Sequence, residues 1–259
     1  MNLARHAVLL LVVAMPWLTI VAVAMDQNAS ETRREIVDIS AHPWASIGKI
    51  GISAISVGTT CTGSVIGPKQ ILTAAHCLYI KTTARFASAG EIHFLLGYEK
   101  GRYRAHRVGS RYVISPKFNF ANIKTAGEDW AVLYIDEPFP PDTKPLRLAA
   151  ERPLPGTPLQ TAGYESAKAH IMTADKHCRV KAVSADGKLI TDNCIVHHGD
   201  SGGPLLSGDE DAEGLIIGVN SLGYSTLVEL KDQSKEGSAA AAAWAIKQSL
   251  ASQGADGAE

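Results

Sequence analysis

Ser201 stands in the run His198-Gly199-Asp200-Ser201-Gly202-Gly203-Pro204, with glycine close on either side. Backbone of this kind turns tightly, leaving a hydroxyl exposed and neighbouring N–H groups free to face a developing negative charge. A seryl hydroxyl is a weak nucleophile until a base takes its proton, so the chemistry calls for a histidine. Taken alone, the same run is also an ordinary tight turn, since glycine, aspartate, serine and proline all favour turns. His76 lies in Leu72-Thr73-Ala74-Ala75-His76-Cys77, after an apolar stretch and beside small residues that leave its ring room. A third member is a carboxylate shielded enough to fix imidazole in one tautomer and to stabilise its cation. Asp129, immediately before Trp130-Ala131-Val132-Leu133-Tyr134-Ile135, fits that need, whereas Asp136 and Asp142 flank a proline-rich stretch and read as solvated turn residues.

Chain order separates competing chemistries. Gly199-x-Ser201-x-Gly203 also fits the nucleophile elbow of esterases and lipases, in which the histidine follows the serine. Here the last histidine is His198 and none follows Ser201, so that reading has no base. A metal centre is not implied: His197-His198 near Cys194, and His177-Cys178, lack the Cys-x-x-Cys or His-x-x-x-His spacing of zinc ligands. No cofactor is expected. His93, His106 and His170 sit in ordinary strand or loop sequence, and residues 102–107, RYRAHR, read as a solvated strand edge.

The elements that must hold these residues come from 259 residues that are 46% hydrophobic, enough for one large domain or two small ones. Twenty-five basic against twenty-six acidic residues leave a net charge of -1, which removes the footprint expected of a nucleic-acid binder. Residues 1–24 read as a secretory signal: Arg5 and His6 open it, residues 7–24 are nearly all apolar, and Ala22-Val23-Ala24 suits cleavage. Pro16 interrupts the apolar run, which argues against a retained anchor, so the mature protein is expected to be secreted or periplasmic without stable membrane association. Four cysteines in an exported chain imply two disulfides with three connectivities open; the local pairs are Cys61 with Cys77 and Cys178 with Cys194.

From Trp44 onward, short β-favouring runs alternate with turn residues, which predicts an all-β barrel or sandwich. Pro138, Pro140, Pro141 and Pro145 mark a connector between two similar β halves. The expected division is a signal peptide at 1–24, an N-terminal or pro segment at 25–40, a first barrel with connector at 41–145, a second barrel at 146–232, and a helix with tail at 233–259. The helix is predicted from five consecutive alanines after Ser238 followed by WAIKQSLAS, with Trp244 and Leu250 on the barrel and the ADGAE tail loose.

The segments CTGSVIGPKQILTAAHC, EDWAVL and GDSGGP together resemble those of the trypsin/chymotrypsin superfamily, nearest its bacterial branch with the glutamyl endopeptidases. That resemblance extends from about Pro43 to the C-terminal helix. It implies two antiparallel six-stranded β-barrels with a C-terminal helix, His76 and Asp129 from the first barrel, Ser201 from the second, and a cleft between them. It further implies peptide-bond hydrolysis by a monomer, Gly199 and Ser201 as backbone oxyanion donors, Ser221-Leu222-Gly223 as the edge that pairs with substrate, and Ile195 and Val196 in the specificity pocket. A catalytically silent binding module on the same fold is the competing class. The resemblance also implies a buried carboxylate at Asp200 that needs a cation, supplied in that family by a newly cut α-amino group. Cutting after Glu35 would free Ile36-Val37, although Asp38-Ile39 then stand where glycines usually follow; the competing reading makes Arg33, Arg34 and Glu35 a solvated tail.

Overall fold

The structure, a computed structural model, describes residues 33–52, 60–209, 213–223 and 237–254. The expected signal peptide, the run STLVEL and the ADGAE tail lie outside the described residues. Two closed barrels carry the fold. The first is built from β2 (Ile47–Ile52), β3 (Cys61–Gly67), β4 (Gln70–Thr73), β7 (Ile92–Leu96), β8 (Ala105–Ile114) and β9 (Ala131–Ile135), in the ring order β2-β3-β4-β9-β8-β7. A small hairpin of β5 (Tyr79–Ile80) and β6 (Arg85–Phe86) stands apart from it. In β9 all five residues are buried, as the unbroken apolar run demands.

The second barrel uses β11 (Pro158–Gly163), β12 (Thr173–Val183), β13 (Leu189–Asp192), β14 (Pro204–Ser207), β15 (Leu215–Leu222) and β16 (Ser238–Ala242). Their order is β12-β11-β14-β15-β16-β13, and pairing of β13 back to β12 closes the ring. Two short strands extend this sheet: β1 (Arg34–Ile36) runs antiparallel to β12, and β10 (Arg147–Leu148) runs parallel to β15. The proline-rich connector is free of strand from Asp136 to Leu146.

Two expectations are corrected. The polyalanine run is not the opening of the helix but strand β16, and helix α1 spans only Ala243–Ser252. The second barrel therefore extends to Ala242, past the expected limit at residue 232. Helix propensity loses here because β13 and β15 each present a free ladder to this segment, and five residues too small to collide fill the gap completely buried. Gly218 on β15 shows how tight the gap is, since a Cβ there would stand 3.0 Å from that of Ala240. From α1, Ile246 and Leu250 are buried while Trp244 is half-buried against the core.

The second correction concerns residues 33–40. One reading of the sequence made Arg33, Arg34 and Glu35 a solvated tail, but Arg34–Ile36 adds a strand to the second barrel, with Arg34 opposite Asp175 and Ile36 opposite Thr173. Arg34 is only 7% exposed.

Candidate active site

Antiparallel pairing delivers the first two site residues to one place. Thr73 at the end of β4 lies opposite Ala131 at the start of β9, so chain leaving β4 and chain entering β9 meet at the same rim. His76 sits in a 3-10 turn, Ala75–Leu78, just beyond β4, and Asp129 caps a second such turn just before β9. Their side chains meet there. His76 Nδ1 is 2.6 Å from Asp129 Oδ2, and the His76 backbone N–H donates to Asp129 Oδ1 at 2.8 Å. Asp129 is 2% exposed, whereas the His76 ring keeps 26% of its surface open. Burial pulls the His76 pKa down, but the Asp129 charge and hydrogen bond outweigh it, and the net direction is upward.

Ser201 approaches from the second barrel, in the turn between β13 and β14, and is half-exposed. Its carbonyl accepts the Thr62 N–H at 2.8 Å, so strand β3 of the first barrel holds it directly. The same carbonyl oxygen lies 3.5 Å from Cys77 Sγ, which in turn is 3.8 Å from His76 Nε2. The Cys61–Cys77 disulfide thus wedges between the histidine and the serine, tying β3 to the histidine turn. Cys178–Cys194 joins β12 to the segment that runs toward Ser201. Cys61, His76 and Cys77 are the grouping of metal-type ligands among the described residues, and both of its sulfurs are spent in the disulfide.

Peptide planarity settles where two amides point. The His198 carbonyl is held by Ser166 N–H at 2.6 Å, so the Gly199 N–H of the same trans peptide must face the opposite way. The Asp200 carbonyl takes Gly203 N–H at 2.8 Å, which turns the Ser201 N–H away likewise. Neither the Gly199 nor the Ser201 N–H donates to another described residue. Gly199 adopts φ +100°, and a Cβ there would run into the Tyr164 carbonyl, so glycine is required. Two unspent donors beside a partly open hydroxyl form a site able to hold a negative oxygen.

Two further residues bind this site together that sequence reasoning missed or assigned otherwise. Thr62 Oγ1 donates to the Gly199 carbonyl at 2.8 Å and accepts from Tyr164 N–H at 3.0 Å, fastening the serine turn across the barrel boundary. Ser221, expected only on a substrate-pairing edge, directs its hydroxyl to Asp129 Oδ2 at 2.6 Å. Their signal was slight: Thr62 follows Cys61, and Ser221 is next to last in an apolar strand. Asp136 is exposed and Asp142 pairs at the surface with Arg104, so neither competes with Asp129.

Of the expected pocket residues, Val196 is buried and Ile195 half-buried; the Ile195 N–H donates to Asp175 Oδ2 at 2.9 Å. Leu222 and Gly223 are half-buried, and a Cβ on Gly223 would lie 3.0 Å from the Val196 carbonyl, so the two segments face one another closely. Asn220 is fully buried, and its Nδ2 donates to Thr161 Oγ1 at 2.7 Å.

The sequence profile of the family described as Trypsin matches residues 36–231. Trypsin zeta of Drosophila erecta is 26% identical over 193 residues, covering 64% of this chain and 65% of that protein. A glutamyl endopeptidase of Bacillus licheniformis is 36% identical over 63 residues, 24% of this chain and 19% of its own length. The chain therefore spans less than two thirds of each of these two relatives. Among solved structures, that of a Glu endopeptidase in complex with MPD has a TM-score of 0.69 at 20% identity, covering 86% of this chain and 96% of the other. The Vibrio cholerae VesB protease has a TM-score of 0.63 at 16% identity, covering 85% of this chain and 67% of the other. Both likenesses are of fold.

Proposed function

Since the chain belongs to the trypsin family, we propose that it is an exported serine endopeptidase that hydrolyses peptide bonds through His76, Asp129 and Ser201. The observation that carries this reading is the pairing of a half-open His76 ring with the buried Asp129 carboxylate at 2.6 Å, on the rim that receives Ser201. Asp129 fixes the imidazole with Nδ1 protonated, which leaves Nε2 free to take the Ser201 proton. The alkoxide attacks the scissile carbonyl, and the N–H groups of Gly199 and Ser201 receive the oxyanion. His76 then protonates the departing amine, leaving an acyl group on Ser201. Water, deprotonated by the same imidazole, releases it.

Substrates are proteins or peptides, with an extended segment pairing along Ser221-Leu222-Gly223. Ile195 and Val196 bring no charge to the pocket, so an apolar or small side chain is expected before the scissile bond, with glutamate as the alternative, although Asn220 stands where the resemblance to glutamyl endopeptidases would put a histidine. Two disulfides fit an oxidising compartment, and with the signal-like residues 1–24 they support secretion or a periplasmic location. The mature enzyme is read as a monomer that needs no cofactor and no nucleic acid.

Ser201→Ala tests the reading, because it removes a hydroxyl and no packing. The expected outcome is loss of hydrolysis and of fluorophosphonate labelling with an unchanged unfolding transition. A processed wild-type protein that the probe fails to label at Ser201 would instead identify a binding module. Cleavage profiling on a peptide library checks the pocket: dominant Arg or Lys before the cut would contradict the uncharged wall.

A further inference from the structure

The serine turn is held from behind by a buried ion pair whose two halves are 166 residues apart. Asp200 is fully buried; its Oδ2 accepts the His197 N–H at 2.8 Å and its Oδ1 receives Arg34 Nη2 at 3.1 Å. The Arg34 side chain is 1% exposed. Its other donors reach the Ile195 carbonyl at 2.5 Å, the Thr173 carbonyl at 2.9 Å and Thr173 Oγ1 at 3.1 Å. One guanidinium therefore grips both the start and the end of the 195–200 segment. Neighbouring pairs keep strand β1 in register: Arg33 with Asp175 and the Asn193 carbonyl, and Glu35 with Lys176.

Resting on the reading of Ser201 as nucleophile, we propose that Arg34 is the positioning residue that supplies the cation for Asp200, so that the oxyanion site forms without any newly cut α-amino group. Burial pushes the Asp200 carboxyl up to about 6, and Arg34 is the main influence pulling it back. Ile36, the expected new terminus, lies further along β1 and is 64% exposed. A cut after Arg34 or Glu35 severs the guanidinium from the strand that aims it, and such cuts switch the enzyme off rather than on.

A guanidinium keeps its charge at every pH where proteins stay folded, whereas a buried ammonium can lose its proton. The other charged groups facing this site are Glu165, 3.8 Å from Arg34 Nε, and the Lys168 and His197 side chains that flank Glu165 at 2.9 and 3.6 Å. They are common to all variants compared, so a new alkaline limb in a lysine variant belongs to residue 34.

The experiment takes the exported, signal-processed protein, sequences its N-terminus, and measures kcat and KM against pH on a peptide p-nitroanilide for wild type, Arg34→Lys and Arg34→Met. Hydrogen exchange of amides 195–203 is followed in each. Wild type is expected to be active with Arg34 retained and to show no alkaline loss from an amine. Arg34→Met should lose about 10²–10³ in kcat, the loss of one oxyanion donor, with far less change in KM and faster exchange at 195–203. Arg34→Lys should recover much of kcat near neutrality and gain an alkaline limb; it also serves if the methionine variant does not fold. Undiminished kcat in Arg34→Met, a lysine variant with a wild-type pH profile, or active enzyme beginning at Ile36 would overturn the proposal. If wild type is neither labelled nor hydrolytic, the protease reading fails separately, and exchange at 195–203 judges Arg34 by itself: faster in the methionine variant sustains it, unchanged refutes it.

Discussion

Asp129 accepts three hydrogen bonds, from the His76 ring, the His76 backbone and the Ser221 hydroxyl. A carboxylate so held stays where the imidazolium needs it, and its charge is what raises the His76 pKa against the effect of burial. Only neutral imidazole can act as base, so activity should fall as pH drops through a value above 6.5, the ordinary histidine pKa. Asp129→Asn should lower kcat by about 10⁴ at neutral pH and move that acid limb downward; pH–rate profiles of the two proteins check both. An unmoved limb would mean that some other group titrates. His76, Asp129 and Ser201 could be picked out as candidates from sequence because LTAAHC and GDSGGP form a specific combination and Asp129 opens an apolar strand. Thr62 and Arg34 could not, since their meaning depends on partners 137 and 166 residues away. The sequence does hold an arginine at 34, yet nothing near it tells that its charge is buried.

Strand β16 shows where local signals mislead. Five alanines before an amphipathic segment are the strongest helix former in the chain, and a helix does begin, but only at Ala243. The competing demand is topological: without β16, β13 and β15 would be open edges and the second ring could not close. The other barrel strands were legible because apolar and turn residues alternate at short intervals, and the closing strand was not because alanine carries no β signal. Ala240 is fully buried between Ile190 and Asn220, with Gly218 against its face. Ala240→Leu therefore forces extra carbon into filled space and should cost about 1–3 kcal/mol, read as a lower urea midpoint at unchanged m. A midpoint equal to wild type would show that the gap is looser than the packing indicates.

The two barrels are joined through the site itself. Thr62 of the first holds Gly199 and Ser201 of the second, Ser221 of the second reaches Asp129 of the first, and β1 returns from the N-terminal end to hold Asp200. Each disulfide, by contrast, spans only 16 residues and lies close to one barrel; by loop length each contributes roughly 3 kcal/mol. As the chain emerges from the ribosome, Arg34 has no Asp200 to meet until most of the protein has been made, and contacts that close long loops form slowly. Until that contact is made, His76 and Asp129 can already be paired while the serine turn still lacks the brace that aims it. In refolding of the disulfide-intact protein, peptide hydrolysis should appear with a lag behind the recovery of far-ultraviolet β signal. Simultaneous recovery of both signals would show that the long connections form as early as the barrels.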